Sequence, residues 1–379
     1  MEVITNKNFG KNTPEILTLM RSWNPKEICD FHHTLGNKTT PLIQLPHLAK
    51  SLGIKNILVK DESSRLGLNS FKPLGASYSM HKEIDNNPNI EVFCTATDGN
   101  HGRSVAWMAR KLKKRSVIYV PCDTTESRIK SISEEGAKVH VVDCSYDATV
   151  RKAKSRCQLE NQEFEKDRWS LVQDTAWNNY EKIPLDIMKG YWTQIHEITK
   201  QISPNSIDVL FLQAGVGSWA ASLISYIMIY WENPPKMISV EPLSANCVHE
   251  SIRMGHRVSV HSNQKTIMAG LNCGTVSTMA WAILKNYIYK SISIPDSFSK
   301  NAIKLFANPI ADDQKINSGE SGAGGLGGLL ALRNGSSKDR AEEVLTDSST
   351  VLIINTEGAT DPINYNSIIG EDLLNQLKK

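Results

Sequence analysis

The chain has little that would mark it as a secreted, metal-stapled or strongly charged protein. Its seven cysteines, Cys29, Cys94, Cys122, Cys144, Cys157, Cys247 and Cys273, form an odd set without a Cys-x-x-Cys pair. Several lie inside apolar, strand-like runs, so they read as buried thiols of a reducing cytoplasm. Charge of one sign is also missing. Lysine and arginine total 43 against 40 acidic residues, a net charge of +3 with both signs interspersed, which gives no electrostatic case for nucleic acid or an anionic membrane. No stretch approaches the roughly 20 apolar residues of a membrane span, and the N-terminus MEVITNKNFGKNTPEI lacks the apolar core of a signal peptide. A soluble cytoplasmic protein working on small molecules is the expectation.

Repeats and low-complexity segments are absent too. SGESGAGGLGGLLALRNG is the nearest candidate and reads as a loop entering a small-residue helix. What remains is a globular composition, 379 residues with 40% hydrophobic and 22% charged, long enough for two domains or one large one with a sizeable core.

From residue 91 the chain alternates short apolar runs with longer amphipathic ones: EVFCTAT, SVAWMARKLKK, SVIYVPC, ESRIKSISEEG, KVHVVDC, a long charged helix and WSLVQD. A second series follows in DVLFLQAG, SWAASLISYIMIYW and KMISVEP, and TVLIINTEG supplies another buried strand near the end. Such βαβ series build parallel sheets with helices on both faces, so an α/β fold with two units is expected. Ligands of these sheets sit beyond the carboxyl ends of the strands. Four segments qualify: TDGNHG, QDTAW, AGVGSW and TEGATD.

AGVGSW puts two glycines and a serine between strand and helix, an arrangement whose free N–H groups cradle a phosphate. The same glycines would also serve a tight turn with no ligand. There is no Walker lysine and no complete G-x-G-x-x-G with an acidic residue about 20 positions on, so a small phosphorylated cofactor fits better than a nucleotide. TDGNHG carries Asp98, Asn100 and His101 on a turn opening a helix. Asx-turn and capping roles explain the first two equally well, and His101 has no second histidine at metal-ligand spacing. In NSFKPLGASYSM, Asn69 and Ser70 are candidate caps and Pro73 suits a first helical turn. Lys72 then sits at a helix mouth, where a cation is disfavoured; the alternative is a surface lysine whose stem covers apolar neighbours.

In combination these motifs are more specific. A lysine after Ser-Phe, the turn DGNHG, a glycine phosphate turn and a strand ending in a hydroxyl residue before glycine, in that order, resemble the pyridoxal-phosphate enzymes of fold type II, the tryptophan-synthase-β class. Within the class the chain is most similar to the diaminopropionate ammonia-lyase family, through KDESSRLGLNSFKPLGASY, ATDGNHGRSVAW, QDTAWNNYEKIP, IMKGYW, LQAGVGSWAAS, TIMAGLNCG, SGESGA and NTEGATDP. Threonine and serine dehydratases share only the general elements. The resemblance implies two open, mostly parallel twisted sheets: a large domain of residues 1–75 plus 180–379, and a small inserted domain of 76–179, with pyridoxal 5'-phosphate in the cleft between them.

Residue by residue, the resemblance makes Lys72 the lysine that forms the Schiff base with the cofactor aldehyde, its desolvated position favouring the neutral nucleophile. Asn100 would bind the ring hydroxyl oxygen, Gly215, Val216, Gly217 and Ser218 the phosphate, and Thr356 the pyridine nitrogen. A neutral hydroxyl does not hold that nitrogen protonated as a carboxylate would, which suits elimination. Asp98 and Asp174 match the family's bases toward the D- and L-substrate, the alternative for Asp174 being a loop cap facing Thr175 or Trp177. The implied reaction is elimination of ammonia from 2,3-diaminopropionate to give pyruvate and a second ammonia. This chain departs from the family pattern at Ala359 and Thr275, where acidic residues are usual, and at Pro73. Two other readings are a related enzyme of the class, a serine or threonine dehydratase or a β-replacement synthase, and a non-catalytic α/β binding protein. A homodimer is expected from the class, with apolar helices such as SLISYIMIYW exposed to form the interface.

Overall fold

The structure is a computed structural model that describes residues 1–97, 99–163, 167–260, 265–334 and 343–376. Among the described residues eleven strands form two sheets. In chain order they are β1 (Glu2–Thr5), β2 (Leu42–Gln44), β3 (Asn56–Asp61), β4 (Val92–Ala96), β5 (Arg115–Pro121), β6 (Lys138–Val142), β7 (Trp169–Leu171), β8 (Val209–Gln213), β9 (Lys236–Pro242), β10 (Lys290–Ile294) and β11 (Thr350–Asn355).

The larger sheet has the order β1-β10-β9-β8-β11-β3-β2. Its five inner strands are parallel and both edges are antiparallel. The smaller sheet, β6-β5-β4-β7, is parallel throughout. The α/β class and the two mostly parallel sheets of the sequence reading are therefore observed.

Near-continuous apolar strands such as VLFLQ and TVLIIN arise because a parallel sheet is covered on both faces. Every residue of β8 and β11 is buried. Their alternate side chains divide between two cores. Leu58, Leu210, Leu212, Leu352 and Ile354 face the helices Lys182–Gln201, Ser218–Tyr230 and Thr278–Tyr287. Ile57, Val59, Val209, Phe211, Val351 and Ile353 face the helices Asp296–Ala307 and Gly324–Asn334 on the other side. The glycine-rich SGESGAGGLGG does enter a helix, as its composition implied.

Two expectations from composition fail. The run SLISYIMIYW is not an exposed interface: the helix Ser218–Tyr230 is buried along its length, with only Met228, Ile229 and Tyr230 reaching solvent at its end. A helix apolar on all sides belongs inside, between a sheet and other helices. The cysteines are not all buried either. Cys122, just past the end of β5, is exposed and Cys144 is half-buried, because both fall in turns beyond strand ends. Among the described residues no helix is long and apolar enough to cross a membrane.

The helix Lys72–Asn86 reaches the site through close packing on Lys182–Gln201. A Cβ on Gly190 would lie 2.3 Å from the Leu74 carbonyl oxygen, and one on Gly75 2.5 Å from the Tyr191 ring. Only glycine permits so close an approach. A buried ionic cluster ties the helix Lys182–Gln201 to β3 and the turn that follows it. Arg65 pairs with Glu62 (2.7 Å) and Glu197 (2.7 Å), and Lys60 with Glu197 (2.7 Å). Two cations and two carboxylates balance, so burial leaves no charge unpaired.

Candidate active site

All four segments that follow strands converge on one cavity of about 880 Å³, the space at its mouth included. It is lined by Lys72, Thr97, Gly99, Asn100 and His101, Asp174, Gln213 through Ala220, Ser321, Thr356 and Glu357, with Arg128 and Tyr146 from the smaller sheet's layer. Parallel strands from both sheets end here, which is why distant turns meet.

The segment holding Lys72 is gripped by the end of β11. Ser70 bridges to Glu357, the Phe71 N–H donates to the Thr356 carbonyl (3.1 Å), and the Gly358 N–H donates to the Asn69 carbonyl (2.9 Å). Neither Asn69 nor Ser70 caps the helix by its side chain. Asn69 adopts a left-handed φ of 59° and the Ser70 hydroxyl is buried without a partner among the described residues. Tertiary pairing replaces local capping. Pro73 is the second residue of the helix, where a missing N–H is no loss.

Lys72 Nζ donates to Asp174 Oδ2 at 2.6 Å. Burial works against the ammonium, but Asp174 outweighs it, with Tyr191 adding, and the lysine is held charged above its usual value. This reverses the expectation of a lysine kept neutral by desolvation, because the helix mouth also holds a carboxylate. Burial also opposes the Asp174 charge, and Lys72 and His101 outweigh it and lower its pKa. Asp174 is therefore a carboxylate aimed at Lys72, and the loop-cap alternative is not what its side chain does. His101 is held by the Val172 carbonyl at 2.7 Å, its pKa depressed chiefly by burial. Asp98 lies outside the described residues.

Opposite the lysine is the turn Gly215–Ser218. None of the backbone N–H groups from Gly215 through Ala220 donates to another group among the described residues. Gly217 takes φ 87° to set the turn, and a Cβ there would meet Leu284 at 2.7 Å. The result is an open cradle at a helix N-terminus, suited to a phosphate. The Ser218 hydroxyl donates to the Asp174 carbonyl at 2.6 Å, so the residue that opens the helix also fixes the Asp174 loop. The Ser277 N–H adds a bond to the Val216 carbonyl at 2.9 Å, and the Ser277 hydroxyl accepts from the Ala176 N–H at 3.0 Å.

At the far end, Gln213 Nε2 donates to Thr356 Oγ1 at 3.1 Å and to three backbone carbonyls, while its Oε1 is buried without a partner among the described residues. Thr356 accepts in this bond, which leaves its hydroxyl hydrogen for an unprotonated ring nitrogen. Asn100 Nδ2 donates to a Glu357 carboxylate oxygen, and the other oxygen of Glu357 accepts from the Ser321 N–H (3.0 Å). Gln213, Ser321 and Glu357 stand inside the motif blocks quoted above; being polar at a strand end was the available signal for Gln213 and Glu357, whereas Ser321 lies in the loop before the helix Gly324–Asn334. Arg128, 3.7 Å from Glu320, had none.

The residues thus fit a phosphorylated aromatic aldehyde: unpaired N–H donors for its phosphate, an amine for its aldehyde and a hydroxyl donor for its ring nitrogen. Residues 33–356 match the family described as pyridoxal-phosphate dependent enzyme, and the chain belongs to that family. Within it, the chain is a member of the diaminopropionate ammonia-lyase family. It is 36% identical over 394 aligned positions to the diaminopropionate ammonia-lyase of Escherichia coli strain K12, covering 98% of this chain and 96% of that one. Crystal structures of the Escherichia coli enzyme in complex with D-serine and with an aminoacrylate-PLP azomethine reaction intermediate each give a TM-score of 0.89, at 36% identity and covering 98% of this chain and 97% of that one. The cofactor is pyridoxal 5'-phosphate.

Proposed function

We propose that this enzyme eliminates ammonia from 2,3-diaminopropionate, in its D form, its L form or both. The observation that carries the reading is the carboxylate of Asp174, 2.6 Å from Lys72 in the cavity that also holds the phosphate cradle. The substrate carries a β-ammonium, and an anionic wall of Asp174 and Glu357 attracts it where the hydroxyl of serine or threonine would gain less. The net reaction consumes one water and yields pyruvate and two ammonia: the α-proton leaves, the β carbon–nitrogen bond breaks, and hydrolysis releases the second nitrogen.

Bound pyridoxal 5'-phosphate supplies the electron sink that makes the α-proton acidic. Gly215, Val216, Gly217 and Ser218 hold its phosphate, Lys72 its aldehyde end, Asn100 its ring hydroxyl and Thr356 its ring nitrogen. Asp174 holds the Lys72 ammonium in place beside the cofactor's aldehyde end, and its carboxylate would serve as acceptor for the α-hydrogen on its own side of the cavity. Asp98 is proposed as the acceptor on the opposite side.

We further propose that residues 76–179 form a small domain inserted in a large one of 1–75 plus 180–379, a division supported by the smaller sheet lying wholly within β4–β7. Hydrogen exchange showing one cooperative unit across both sheets would count against it. A homodimer in the cytoplasm is proposed from the family resemblance and the cysteine usage; light scattering on the purified protein and cell fractionation test the two parts.

The decisive assay compares pyruvate release from both enantiomers of 2,3-diaminopropionate, serine and threonine. Highest kcat/KM on a diaminopropionate enantiomer is expected. A preference for serine or threonine would assign the chain to dehydratase chemistry, and a colourless protein that gains no visible band with added cofactor would remove the enzyme reading.

A further inference from the structure

At the outer edge of the larger sheet, outside the lining of the active-site cavity, Glu2 at the start of β1 faces His249 and Glu250 on the helix Cys247–Met254. One ligand atom from each lies within 4.8 Å of the other two. The His249 side chain is fully buried, yet its Nε2 has no hydrogen-bond partner among the described residues. That nitrogen stands 3.6 Å from Glu2 Oε2, beyond hydrogen-bond length. Donors on a tetrahedral zinc ion, each about 2.1 Å from the metal, sit roughly 3.4 Å apart. The imidazole and Glu2 are thus already spaced as two such donors would be.

The imidazole is also oriented as a ligand. His249 Nδ1 is 3.1 Å from Ser291 Oγ, which itself accepts from Ser239 at 2.8 Å; with Nδ1–H donating to that oxygen, the Nε2 lone pair points at Glu2. The main chain is pinned as well, since the His249 N–H donates to the buried Glu241 carboxylate at 2.6 Å and the Val248 N–H at 2.8 Å. Glu250 is held on one oxygen by Arg253 and on the other, loosely, by Asn246 at 3.4 Å. Arg253 is half exposed and free to swing away.

We propose that Glu2, His249 and Glu250 bind one divalent transition-metal ion, zinc being the species that suits one imidazole and two carboxylates with a fourth position left to water. None of the three residues lines the catalytic cavity. The ion would clip edge strand β1 to the helix Cys247–Met254, so its effect is on stability rather than turnover.

The test uses the holoenzyme after chelator treatment and dialysis, titrated with zinc chloride and, separately, cobalt chloride. Expected are one zinc per chain, a Tm that rises with zinc, and a cobalt spectrum free of sulfur-to-metal charge transfer. Glu2→Gln and His249→Gln should each weaken zinc at least tenfold, and Arg253→Gln should tighten it by removing a competitor for Glu250. Turnover of Glu2→Gln should equal wild type, which separates this site from the catalytic reading. Glu2 is an exposed edge residue, so its variant decides the matter if His249→Gln fails to fold. No saturable binding, a Tm response shared equally by wild type and Glu2→Gln, or a thiolate cobalt band placing the ion on cysteine would each overturn the proposal.

Discussion

At the scale of the residue, the Lys72–Asp174 contact concentrates the chemistry. A proton acceptor must lie within reach of its proton, so each proposed aspartate serves the enantiomer whose α-hydrogen faces it. Asp174→Asn should lower kcat/KM for the L form by about 100- to 10,000-fold and spare the D form, with Asp98→Asn doing the reverse. Equal losses on both enantiomers in both variants would end the division of labour. The pair also shapes stability without cofactor. The depressed Asp174 pKa contributes stability above the ordinary carboxylate value that is lost as pH falls through the folded value. The raised Lys72 pKa contributes below the ordinary lysine value and is lost as pH rises through the folded one. The stability difference between wild-type and Asp174→Asn apoenzyme should therefore be flat across neutral pH and shrink at both extremes; a difference that changes between pH values near neutrality would contradict the assignment. Gly217→Ala forces an L-residue to φ 87° against Leu284, a strain of about 1–2 kcal/mol. Cofactor affinity should fall about tenfold, read from the visible absorbance titration.

At the scale of the element, the helix Lys182–Gln201 is the platform on which the Lys72 helix rests, and Glu197 ties that platform to β3 and the turn behind it. Removing one member of a buried ion cluster typically costs about 3–5 kcal/mol, since the remaining charges lose their partner. Glu197→Ala takes the carboxylate partner from Lys60 and two of the four carboxylate bonds from the Arg65 guanidinium, and the urea midpoint should move accordingly; a shift no larger than that of a surface alanine would show the cluster to be dispensable. Burial opposes the Glu197 charge, but Arg65 and Lys60 bring its pKa down to about 2. Its contribution is complete above the ordinary glutamate value and is lost only as pH falls toward about 2.

At the scale of the molecule, the two sheets are joined across the cavity by several polar links, Lys72–Asp174, Ser218–Asp174 and Arg128–Glu320 among them. Asn100 follows β4 of the smaller sheet and Glu357 follows β11 of the larger, and their hydrogen bond crosses from one to the other. A hydrogen bond to a charged group contributes about 1.5–3 kcal/mol. Glu357→Ala frees the Asn100 amide and should weaken cofactor binding roughly ten- to hundredfold while the urea midpoint changes little. Unchanged affinity would mean that Asn100 is held by its helix alone.

Much of this was legible in the sequence. Apolar runs separated by amphipathic helices determine parallel sheets, and parallel sheets place the turns after their strands on one side, so TDGNHG, QDTAW, AGVGSW and TEGATD could be named as site segments before any coordinates. Gly215, Gly217 and Thr356, which follow strands in the sequence, line the cavity. The tertiary structure alone decided that Lys72 is ion-paired rather than neutral, because Asp174 is 102 residues away and no local pattern announces so distant a neighbour. It also decided that the lysine segment is fixed by residues 356–358 instead of by its own caps, and that the most apolar helix is a core element, since burial depends on what packs against a helix as well as on its composition.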